Sequence, residues 1–461
     1  MKLTDEMVDR IVKEVAQRLS SYFVPEKDCV FDEMNQAVEA CRVAQKQLLK
    51  LSLAKRAELI DAIRLTSLEN VEELSRMTVD ETQMGNYEDK IAKNRLVATK
   101  TPGIEDLRPE VMSGDDGLTL TELSPFGVIG AITPTTNPTE TIICNSIGMI
   151  AAGNGVVFSP HPTAKNTSIR MIRLINSAII DAGGPENIVT TVSDPTIEQV
   201  NKLIAHPHIN MLVATGGPGV VKAVLSSGKK AVGAGAGNPP VIVDESANIE
   251  KAAKDIIAGC SFDNNLPCIA EKEVIVVDEV ADYLMFHMKG NGAYFIEDPR
   301  LLNRLEELIY ADGKLDKEFI GKSAPYILDR LGVDYGEGIK VISMETPLSH
   351  PFVQDELMMP ILPVVRVKDF GEALEAAIQA EHGYQHTAIM HSVNVERLSR
   401  TAKEIQTTIF VKNGPSYAGI GVGGEGCTTF TIAGPTGEGL TTAKTFTRRR
   451  RCVLVEGFNI R

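Results

Sequence analysis

The fold is decided by a pattern that opens with the apolar run Val128-Ile129-Gly130-Ala131-Ile132. A helical pattern over 139–151 follows it, and a second run, Gly155-Val156-Val157-Phe158, leads into another helical pattern over 165–182. Two further apolar runs continue the series, at 188–192 and 211–214. Short apolar runs that alternate with helices are typical of a parallel sheet covered by helices on both faces. The sequence therefore predicts the α/β class.

A second series of the same kind begins at 240–243 and continues to about residue 425. A chain of 461 residues is too long for one hydrophobic core, so two or three domains are expected. Two long helical patterns, 32–51 and 53–77, precede the first series. Residues 111–123 alternate between polar and apolar side chains, which predicts an extended ribbon.

The N-terminal residues form a separate pattern. Residues 3–19 place apolar side chains at helical spacing, so we expect an amphipathic helix within 1–20, followed by a linker at 21–29. A helix with its own apolar stripe docks either on the parent domain or on another protein, and the sequence leaves both open. Its charge is not cationic, which disfavours membrane binding.

The composition excludes several classes of partner. Acidic residues exceed Lys and Arg by 14, so the surface is expected to repel nucleic acid and anionic membranes. The cluster 448–451 of four arginines runs into an apolar stretch and is interpreted as part of a strand. No apolar run approaches the roughly 18–20 residues that span a bilayer. The seven cysteines form no CxxC pair, which predicts reduced thiols in the cytosol and no metal site.

One cysteine has the context of a nucleophile. Cys268 lies between the amide pair Asn264-Asn265 and the apolar run 274–277, on a turn shaped by those amides and Pro267. A thiol on such a turn, just before a strand, can face a cleft. The alternative is a small buried apolar residue, which is the usual state of a free cysteine.

Two glycine-rich segments are candidates for binding phosphate. The segment 233–237 leads into Pro239-Pro240, which cannot open a helix as a dinucleotide fingerprint requires. The segment 215–219 lies between the run at 211–214 and a helix predicted over 219–226, whose amides can hold a pyrophosphate. An ordinary strand-to-helix turn is the alternative.

Taken together, five segments resemble the aldehyde dehydrogenase superfamily, in the family's order and with its spacing over 30–461. They are 132–138 (oxyanion amide), 159–162 (adenosine side), 215–217 (pyrophosphate turn), 264–268 (nucleophile) and 356–360 (nicotinamide ribose). The resemblance implies an NAD-binding domain over 30–235 with an oligomerisation ribbon at 108–124. It also implies a catalytic domain over 236–425, and a return over 426–461 to the first domain with an oligomerisation strand.

One departure selects a branch of the family. Hydrolytic members carry a water-activating glutamate about 35 residues before the cysteine, whereas this chain has Gly233 there. Without that carboxylate water is a poor second nucleophile, while a thiolate needs little activation. The segments 233–238, 383–388 and 423–426 are also similar to the CoA-acylating branch. The resemblance therefore implies NAD and coenzyme A as cofactors.

Within that branch, residues 264–273 are most similar to the members that act on propionaldehyde in propanediol-using bacterial microcompartments. Residues 1–20 resemble encapsulation peptides, which implies a shell protein as partner and a place inside a cytoplasmic microcompartment. The ribbon implies a homodimer or a dimer of dimers. The alternatives are an acetaldehyde-preferring enzyme, a reductase that uses an acyl phosphate, and a shell-associated scaffold without activity.

The resemblance also assigns catalytic roles. Cys268 is the nucleophile, with a pKa expected to be lowered by a helix N-terminus and by the nicotinamide cation. The oxyanion is expected to bind the Cys268 amide and a side chain, either Thr136 or Asn137, of which Asn137 is the better donor. His386 is expected to take the proton of the CoA thiol, although a structural histidine is an equal alternative. His391 is interpreted as structural.

The resemblance places the cofactor along the strand ends. Glu356 is expected to bind the nicotinamide ribose, and His161 either lines the adenine or CoA path or shapes its turn. Residues 159–163 contain no acid for the adenosine ribose, so NAD rather than NADP rests on the resemblance alone. The full predicted set is Thr133, Pro134, Thr135, His161, Pro162, Thr215, Gly216, Gly217, Val220, Gly233, Ala234, Glu356 and Leu357.

Overall fold

The structure is a computed structural model that describes residues 28–460. The predicted N-terminal helix within 1–20, and most of the linker at 21–29, lie outside the described residues.

Helices surround both predicted series of strands. In the described part of the chain the α-helices are α1 (Met34–Leu48), α2 (Leu53–Glu69), α3 (Val71–Thr82), α4 (Tyr87–Lys100), α5 (Pro138–Ala151), α6 (Lys165–Asp181), α7 (Ile197–Ala205), α8 (Pro218–Leu225), α9 (Ile249–Ser261), α10 (Asp278–Gly290), α11 (Pro299–Ile309), α12 (Ala324–Leu331), α13 (Pro351–Gln354), α14 (Phe370–Glu381) and α15 (Val395–Ile405). Within residues 28–460, no helix is long and apolar enough to cross a membrane.

Within the described residues the strands are β1 (Val30–Phe31), β2 (Glu110–Gly114), β3 (Gly117–Pro125), β4 (Val128–Ile132), β5 (Gly155–Ser159), β6 (Val189–Val192), β7 (Ile209–Thr215), β8 (Lys230–Ala234), β9 (Pro240–Val243), β10 (Glu273–Val277), β11 (Ala293–Ile296), β12 (Tyr310–Ala311), β13 (Lys314–Leu315), β14 (Val341–Glu345), β15 (Ile361–Val367), β16 (Thr387–His391), β17 (Ile409–Lys412), β18 (Ile432–Ala433), β19 (Gly439–Leu440) and β20 (Thr447–Val455). Strands β4, β5, β6, β7, β9 and β10 follow the predicted apolar runs, and further strands are found at positions for which no run was named.

Two parallel sheets carry the fold. The first has six strands in the order β1-β6-β5-β4-β7-β8, and the second has seven in the order β11-β14-β15-β10-β9-β16-β17. Every residue of β4, β5, β9 and β10 is buried, as expected for strands covered on both faces. The predicted α/β class is confirmed. The strands of the two sheets fall on either side of residue 235, where we place the domain boundary.

The ribbon is a separate, antiparallel sheet. Strand β2 pairs with β3, and β3 pairs along its whole length with β20, from Thr447 opposite Pro125 to Val455 opposite Gly117. Almost all of β20 is exposed, including the apolar residues Val453 and Val455. The arginines of 448–451 belong to this strand, as the sequence indicated.

One helical prediction was wrong. The pattern over 53–77 predicts a single helix, but the structure has two, α2 and α3, which meet at Asn70. Asn70 has non-helical backbone angles, and its side-chain amide donates to the carbonyl of Thr66 at 2.8 Å. An asparagine side chain competes with the helix backbone in this way, which ends α2. Helix α4 was not predicted, and it contributes directly to the site.

Candidate active site

The segment that carries Cys268 has an irregular backbone. After α9 ends at Ser261, three successive residues, Asp263, Asn264 and Asn265, have φ angles of 49°, 53° and 64°. Non-glycine residues in this left-handed region cost on the order of 1 kcal/mol each, although Asp and Asn tolerate it best. The Asn264-Asn265 pair quoted from the sequence is therefore the residue choice that such a turn requires.

Side-chain hydrogen bonds hold this turn in place. The Asn264 amide donates to the Gly321 carbonyl at 2.8 Å. The Asn265 amide donates to the carbonyls of Cys260 and Glu271, at 3.0 and 2.9 Å, and so ties the start of the segment to its end. These three hydrogen bonds fix the position from which Cys268 is presented.

A buried lysine that the sequence analysis missed completes the turn. Lys272 is 2% exposed, and its ammonium donates to the main-chain and side-chain oxygens of Asn265, at 2.9 and 2.6 Å. Its positive charge acts on three predicted site residues. It favours lower pKa values for Cys268, Glu356 and His386, although burial has a larger effect on each of them. Lys272 is therefore the shared electrostatic neighbour of the site. The role of Lys272 could have been inferred from its position in the sequence, between the cysteine segment and an apolar strand.

A second cluster, the buried ion cluster, consists of Lys90, Lys93, Glu140 and Asp263. All four side chains are fully buried. Asp263 Oδ2 lies 2.9 Å from Lys90 Nζ and 2.6 Å from Lys93 Nζ, and Glu140 Oε1 lies 2.9 Å from Lys93 Nζ. Two positive and two negative groups balance, which limits the cost of burying them. The cluster connects α4 and α5 to the segment that carries Cys268.

The buried ion cluster also orients the predicted oxyanion donor. Lys93 Nζ donates to Asn137 Oδ1 at 2.6 Å, while Lys90 Nζ donates to the Thr136 carbonyl at 2.8 Å. Because the amide oxygen of Asn137 is occupied, its NH₂ group is directed away from Lys93, and it lies 3.2 Å from the Thr136 hydroxyl. This arrangement favours Asn137 over Thr136 as the donor, an assignment that stays a prediction.

Gly237 brings two other candidates together. A β-carbon built on this buried glycine would lie 2.7 Å from the Cys268 carbonyl oxygen and 3.0 Å from Cγ of His386. The two residues therefore pack on either side of a position where only glycine fits. The Gly237 amide also donates to the carboxylate of Glu356, which places that residue at the same point.

Cys268 is partly exposed, whereas Cys29, Cys41, Cys144 and Cys260 are buried. Burial of the sulfur raises its pKa to about 12, and the Glu356 carboxylate acts in the same direction. Lys272, the residue's own amide and Lys93 oppose this effect. No described helix starts within residues 266–272, so the segment itself supplies no helix N-terminus; the expected effect of a nearby helix N-terminus on the pKa of Cys268 stays a prediction. The chain's own groups thus favour the neutral thiol.

His386 is neutral in this environment. Burial, and then the charge of Lys272, lower its pKa to about 4. Its Nδ1 shares a hydrogen bond of 2.9 Å with the Thr387 hydroxyl, and within the described residues Nε2 has no hydrogen-bond partner. A neutral imidazole with a free ring nitrogen can accept a proton. His391 is also buried, and it lies on β16 as a structural histidine would.

The predicted cofactor residues gather at the carboxyl ends of the first sheet. Thr133 follows β4, and its amide donates to the Ser159 carbonyl at the end of β5. The hydroxyl of Thr163 contacts both Thr135 and His161 at 2.8 Å, so these two predicted residues are neighbours. Ligands of open parallel sheets bind at this edge. Thr133 Oγ1 is buried and has no partner in the described chain, which suits a polar ligand.

The pyrophosphate turn lies at the same edge. Gly216 donates its amide to the Ala234 carbonyl at 3.1 Å, which places the predicted residues of β7 and β8 side by side. A β-carbon at Gly216, Gly217 or Gly219 would meet nothing within 4 Å, so the backbone is open to a ligand before α8. These residues fit a dinucleotide. The predicted set here is Thr215, Gly216, Gly217, Val220, Gly233 and Ala234.

Four of the predicted residues differ in their exposure. Leu357 is 2% exposed and packs in an apolar cluster, so any cofactor contact there is limited to its backbone. His161 and Pro162 are exposed at the end of β5, as a residue that lines a ligand path requires. Burial raises the pKa of Glu356, and the Gly237 amide and Lys272 oppose it. The described residues contain no cluster suited to a metal ion.

Gly233 has no space for a longer side chain. A β-carbon there would lie 2.8 Å from Val221 Cγ1 and 3.4 Å from Leu225 Cδ1, both on α8. The position where hydrolytic relatives are expected to carry a glutamate is therefore closed by packing.

The comparisons with known proteins agree with this geometry. The family model described as "Aldehyde dehydrogenase family" matches residues 24–291. Propanal dehydrogenase (CoA-propanoylating) of Salmonella typhimurium is 49% identical over 438 residues, which cover 95% of this chain and 94% of the relative.

Two solved structures are also similar. Propionaldehyde dehydrogenase of Rhodopseudomonas palustris, with bound CoA and an acylated cysteine, has a TM-score of 0.92 and 62% identity, and covers 94% of this chain and 99% of that one. Propionaldehyde dehydrogenase from the fucose utilisation bacterial microcompartment of Clostridium phytofermentans has a TM-score of 0.92 and 54% identity, with coverage of 94% and 99%. The predicted resemblance is confirmed: the chain belongs to the aldehyde dehydrogenase family.

Proposed function

We propose that this protein oxidises propionaldehyde to propionyl-CoA, with NAD and coenzyme A, through a thioester on Cys268. The observation that carries the proposal is the partly exposed Cys268, which meets His386 at Gly237 and whose segment is linked to Asn137 through Lys93, together with a crowded position at Gly233. The relative from Salmonella typhimurium and the acylated cysteine in the Rhodopseudomonas palustris enzyme support it.

The first half of the reaction forms the thioester. The Cys268 thiolate attacks the aldehyde carbon, and the resulting oxyanion accepts hydrogen bonds from the Cys268 amide and from the NH₂ group of Asn137. The residues at the carboxyl ends of β4, β5, β7 and β8 would hold NAD, which would supply the acceptor for the hydride. Loss of that hydride from the former aldehyde carbon leaves an acyl group bonded to Sγ. The thiol proton leaves to solvent.

The second half transfers the acyl group. His386 Nε2 accepts the proton of the CoA thiol, and the CoA sulfur attacks the thioester carbonyl. Asn137 and the Cys268 amide stabilise the second oxyanion as they did the first. The bond to Sγ then breaks, which releases propionyl-CoA and regenerates Cys268. Since Gly233 has no carboxylate to activate a water molecule, the acyl group stays on Cys268 until the CoA thiol attacks it.

The test is product identification with purified protein, propionaldehyde and NAD. We expect NADH formation and propionyl-CoA when CoA is present, and a much lower rate with inorganic phosphate in its place. Acetaldehyde as substrate measures the chain-length preference. Free propionate formed at full rate without any thiol acceptor would contradict the proposal, and a phosphate-only rate would identify an acyl phosphate enzyme.

We also propose that residues 1–20 bind a shell protein of a bacterial microcompartment in the cytoplasm. The amphipathic pattern of 3–19 and the origin of the similar Clostridium phytofermentans enzyme support this. Removal of residues 1–20 is expected to abolish co-purification with shell proteins while activity persists. Loss of soluble enzyme would instead assign the helix to the fold.

The ribbon supports a proposal about assembly. Strand β20 and strand β2 are both edges of their sheet, and they expose Val111, Met112, Val453 and Val455. Unpaired edges with apolar side chains are suited to pairing with a second copy. We therefore place the contact of a homodimer, or of a dimer of dimers, on this ribbon.

A further inference from the structure

Lys93 lies on α4, far in sequence from the nucleophile. Its ammonium contacts three oxygens: Asn137 Oδ1 at 2.6 Å, Asp263 Oδ2 at 2.6 Å and Glu140 Oε1 at 2.9 Å. An ammonium group has three hydrogens, and these oxygens match them in number. Burial acts to lower the pKa of Lys93, but Asp263 and Glu140 outweigh it and raise the pKa, so the group is charged.

The three oxygens come from different parts of the fold. Asn137 precedes α5 and contributes to the edge of the first sheet, and Glu140 lies in the first turn of that helix. Asp263 belongs to the left-handed turn that leads to Cys268 and then to β10 of the second sheet. One charged group therefore links the predicted oxyanion donor to the segment that presents the nucleophile.

Stability alone does not account for this arrangement. Buried ion pairs are often no more stabilising than apolar residues of similar size, because removing both charges from water is costly. Lys90 already pairs with Asp263 at 2.9 Å, so Asp263 has a partner without Lys93. The distinctive contact of Lys93 is the one to Asn137, whose amide would otherwise be free to turn its oxygen toward the reacting atoms.

We infer that Lys93 is a positioning residue, which fixes the Asn137 amide so that its NH₂ group faces the oxyanion formed at Cys268. The inference rests on the proposed function, since it requires Asn137 to stabilise that oxyanion. Lys93 itself does not contact the substrate. Its effect on the rate should therefore disappear once Asn137 has lost its side-chain amide.

The experiment is a double-mutant cycle between Asn137 and the Lys93–Glu140 pair. Substituting the pair together, as Lys93→Met/Glu140→Gln, leaves Lys90 and Asp263 balanced. The control Glu140→Gln keeps the contact between Lys93 and Asn137 but leaves one buried positive charge unbalanced, so it should lower the Tm while changing kcat by less than about 3-fold. Removal of an oxyanion donor by Asn137→Ala should lower kcat by about 10²–10³-fold. The pair substitution should lower kcat by about 10–100-fold, and by less than about 3-fold in the Asn137→Ala background.

A second readout separates positioning from general damage. Alkylation of Cys268 by iodoacetamide displaces iodide and forms no oxyanion. Because Lys93 also lowers the pKa of Cys268, the rates are compared at equal fraction of thiolate, taken from a pH series, and they should then be nearly the same in the pair variant and in the native protein. Lys93→Gln/Glu140→Gln keeps an NH₂ donor for Asn137 Oδ1, and we expect it to recover part of the lost activity. If both results are found, the loss of activity is due to the orientation of the Asn137 amide and not to a defect in folding.

The contradicting results are distinct from failure of the proposed function. Independent, multiplicative effects of the two substitutions, equal loss of alkylation, or no difference between the Met and Gln pairs would each overturn the inference. If the native enzyme forms no propionyl-CoA, or Asn137→Ala has no effect, the proposed function itself fails. Should the Met pair not fold, the Gln pair and Glu140→Gln in both Asn137 backgrounds give a cycle with a smaller coupling, because Gln keeps a neutral donor for Asn137 Oδ1; fully multiplicative effects in that cycle would also overturn the inference.

Discussion

The segment before Cys268 and the ribbon β2-β3-β20 are held in place by different kinds of interaction. The segment is buried and irregular, with three left-handed residues held by Asn265, Lys272 and the buried ion cluster. The ribbon is exposed and regular, and its backbone is held by continuous pairing along β3. Buried side-chain charge thus specifies the position of the reacting sulfur, whereas main-chain pairing builds the surface available for assembly, where the ion pair Arg449–Glu110 is exposed.

The largest expected effect lies at the end of the irregular segment. Substitution Cys268→Ala removes the atom that bonds the acyl group, so NADH formation should fall by at least about 10⁴-fold. Mass spectrometry with propionaldehyde and NAD should then show no propionyl adduct on the chain. Cys260→Ala, at a buried cysteine near the same turn, is the matched control and should keep most of the activity. A fully active Cys268→Ala protein would show that the irregular segment does not carry the reacting sulfur.

The next effect concerns the charge that holds the segment. Lys272→Met removes a positive group that lowers the pKa of Cys268, so that pKa, already raised to about 12 by burial, should rise further. Alkylation of Cys268 at a fixed pH should slow by about 10-fold for each unit of pKa, which a pH series of iodoacetamide labelling measures.

Two variants control for this result. Lys272→Arg keeps the charge and should shift the alkylation profile less than Lys272→Met does. Lys289→Met alters an exposed lysine of α10, and should leave the profile unchanged. If Lys272→Met left the labelling profile of Cys268 where it was, the segment would depend on the hydrogen bonds of Lys272 and not on its charge.

The ribbon should respond in assembly and not in chemistry. Leu454→Asp places a charge on the exposed apolar end of β20, and we expect light scattering to show a smaller particle with unchanged turnover per chain. Arg449→Ser, a polar change on the same strand, is the control and should keep the native size. An unaltered assembly in Leu454→Asp would place the subunit contact elsewhere.

The smallest effect is a pH dependence of stability beneath the nucleophile segment. Burial raises the pKa of Glu271 to about 7, although Ser416 donates two hydrogen bonds to it. The folded chain therefore holds this proton more tightly than the unfolded chain, so stability should decline as the pH rises toward about 7 and then level off.

Thermal unfolding of the native protein and of Glu271→Gln measures this effect. Between about pH 5 and pH 8 the native Tm should fall by roughly 1–3 °C more than that of the variant, which cannot ionise at this position. Parallel curves for the two proteins would show that Glu271 titrates outside this window.

The comparison also explains what the sequence could predict. The buried strands β4, β5, β9 and β10 were evident because each follows a run of apolar residues, and the nucleophile because Asn264-Asn265 precedes Cys268 on a turn. The break at Asn70 was missed because the apolar spacing continues across it. Lys93 and Lys272 were missed because a lysine usually indicates a solvated surface, and only the fold brings Asn137 and Asp263 to the same ammonium group.

The protonation of the site was also beyond the sequence. A lowered pKa was expected for Cys268, and a histidine that titrates near neutrality was expected at 386. Desolvation moves both in the direction of the neutral form, to about 12 and about 4 respectively. Residue identity gives the chemistry of a group, but its ionisation depends on how much water the surrounding chain removes.

The contact between position 233 and Val221 has a consequence for how such enzymes diverge. In a relative with a glutamate in place of Gly233, the side chain would collide with α8, since even its β-carbon would lie too close to Val221 Cγ1. A carboxylate at this position therefore requires α8 or the Val221 side chain to move, and this packing helps to keep the acyl group for its thiol acceptor.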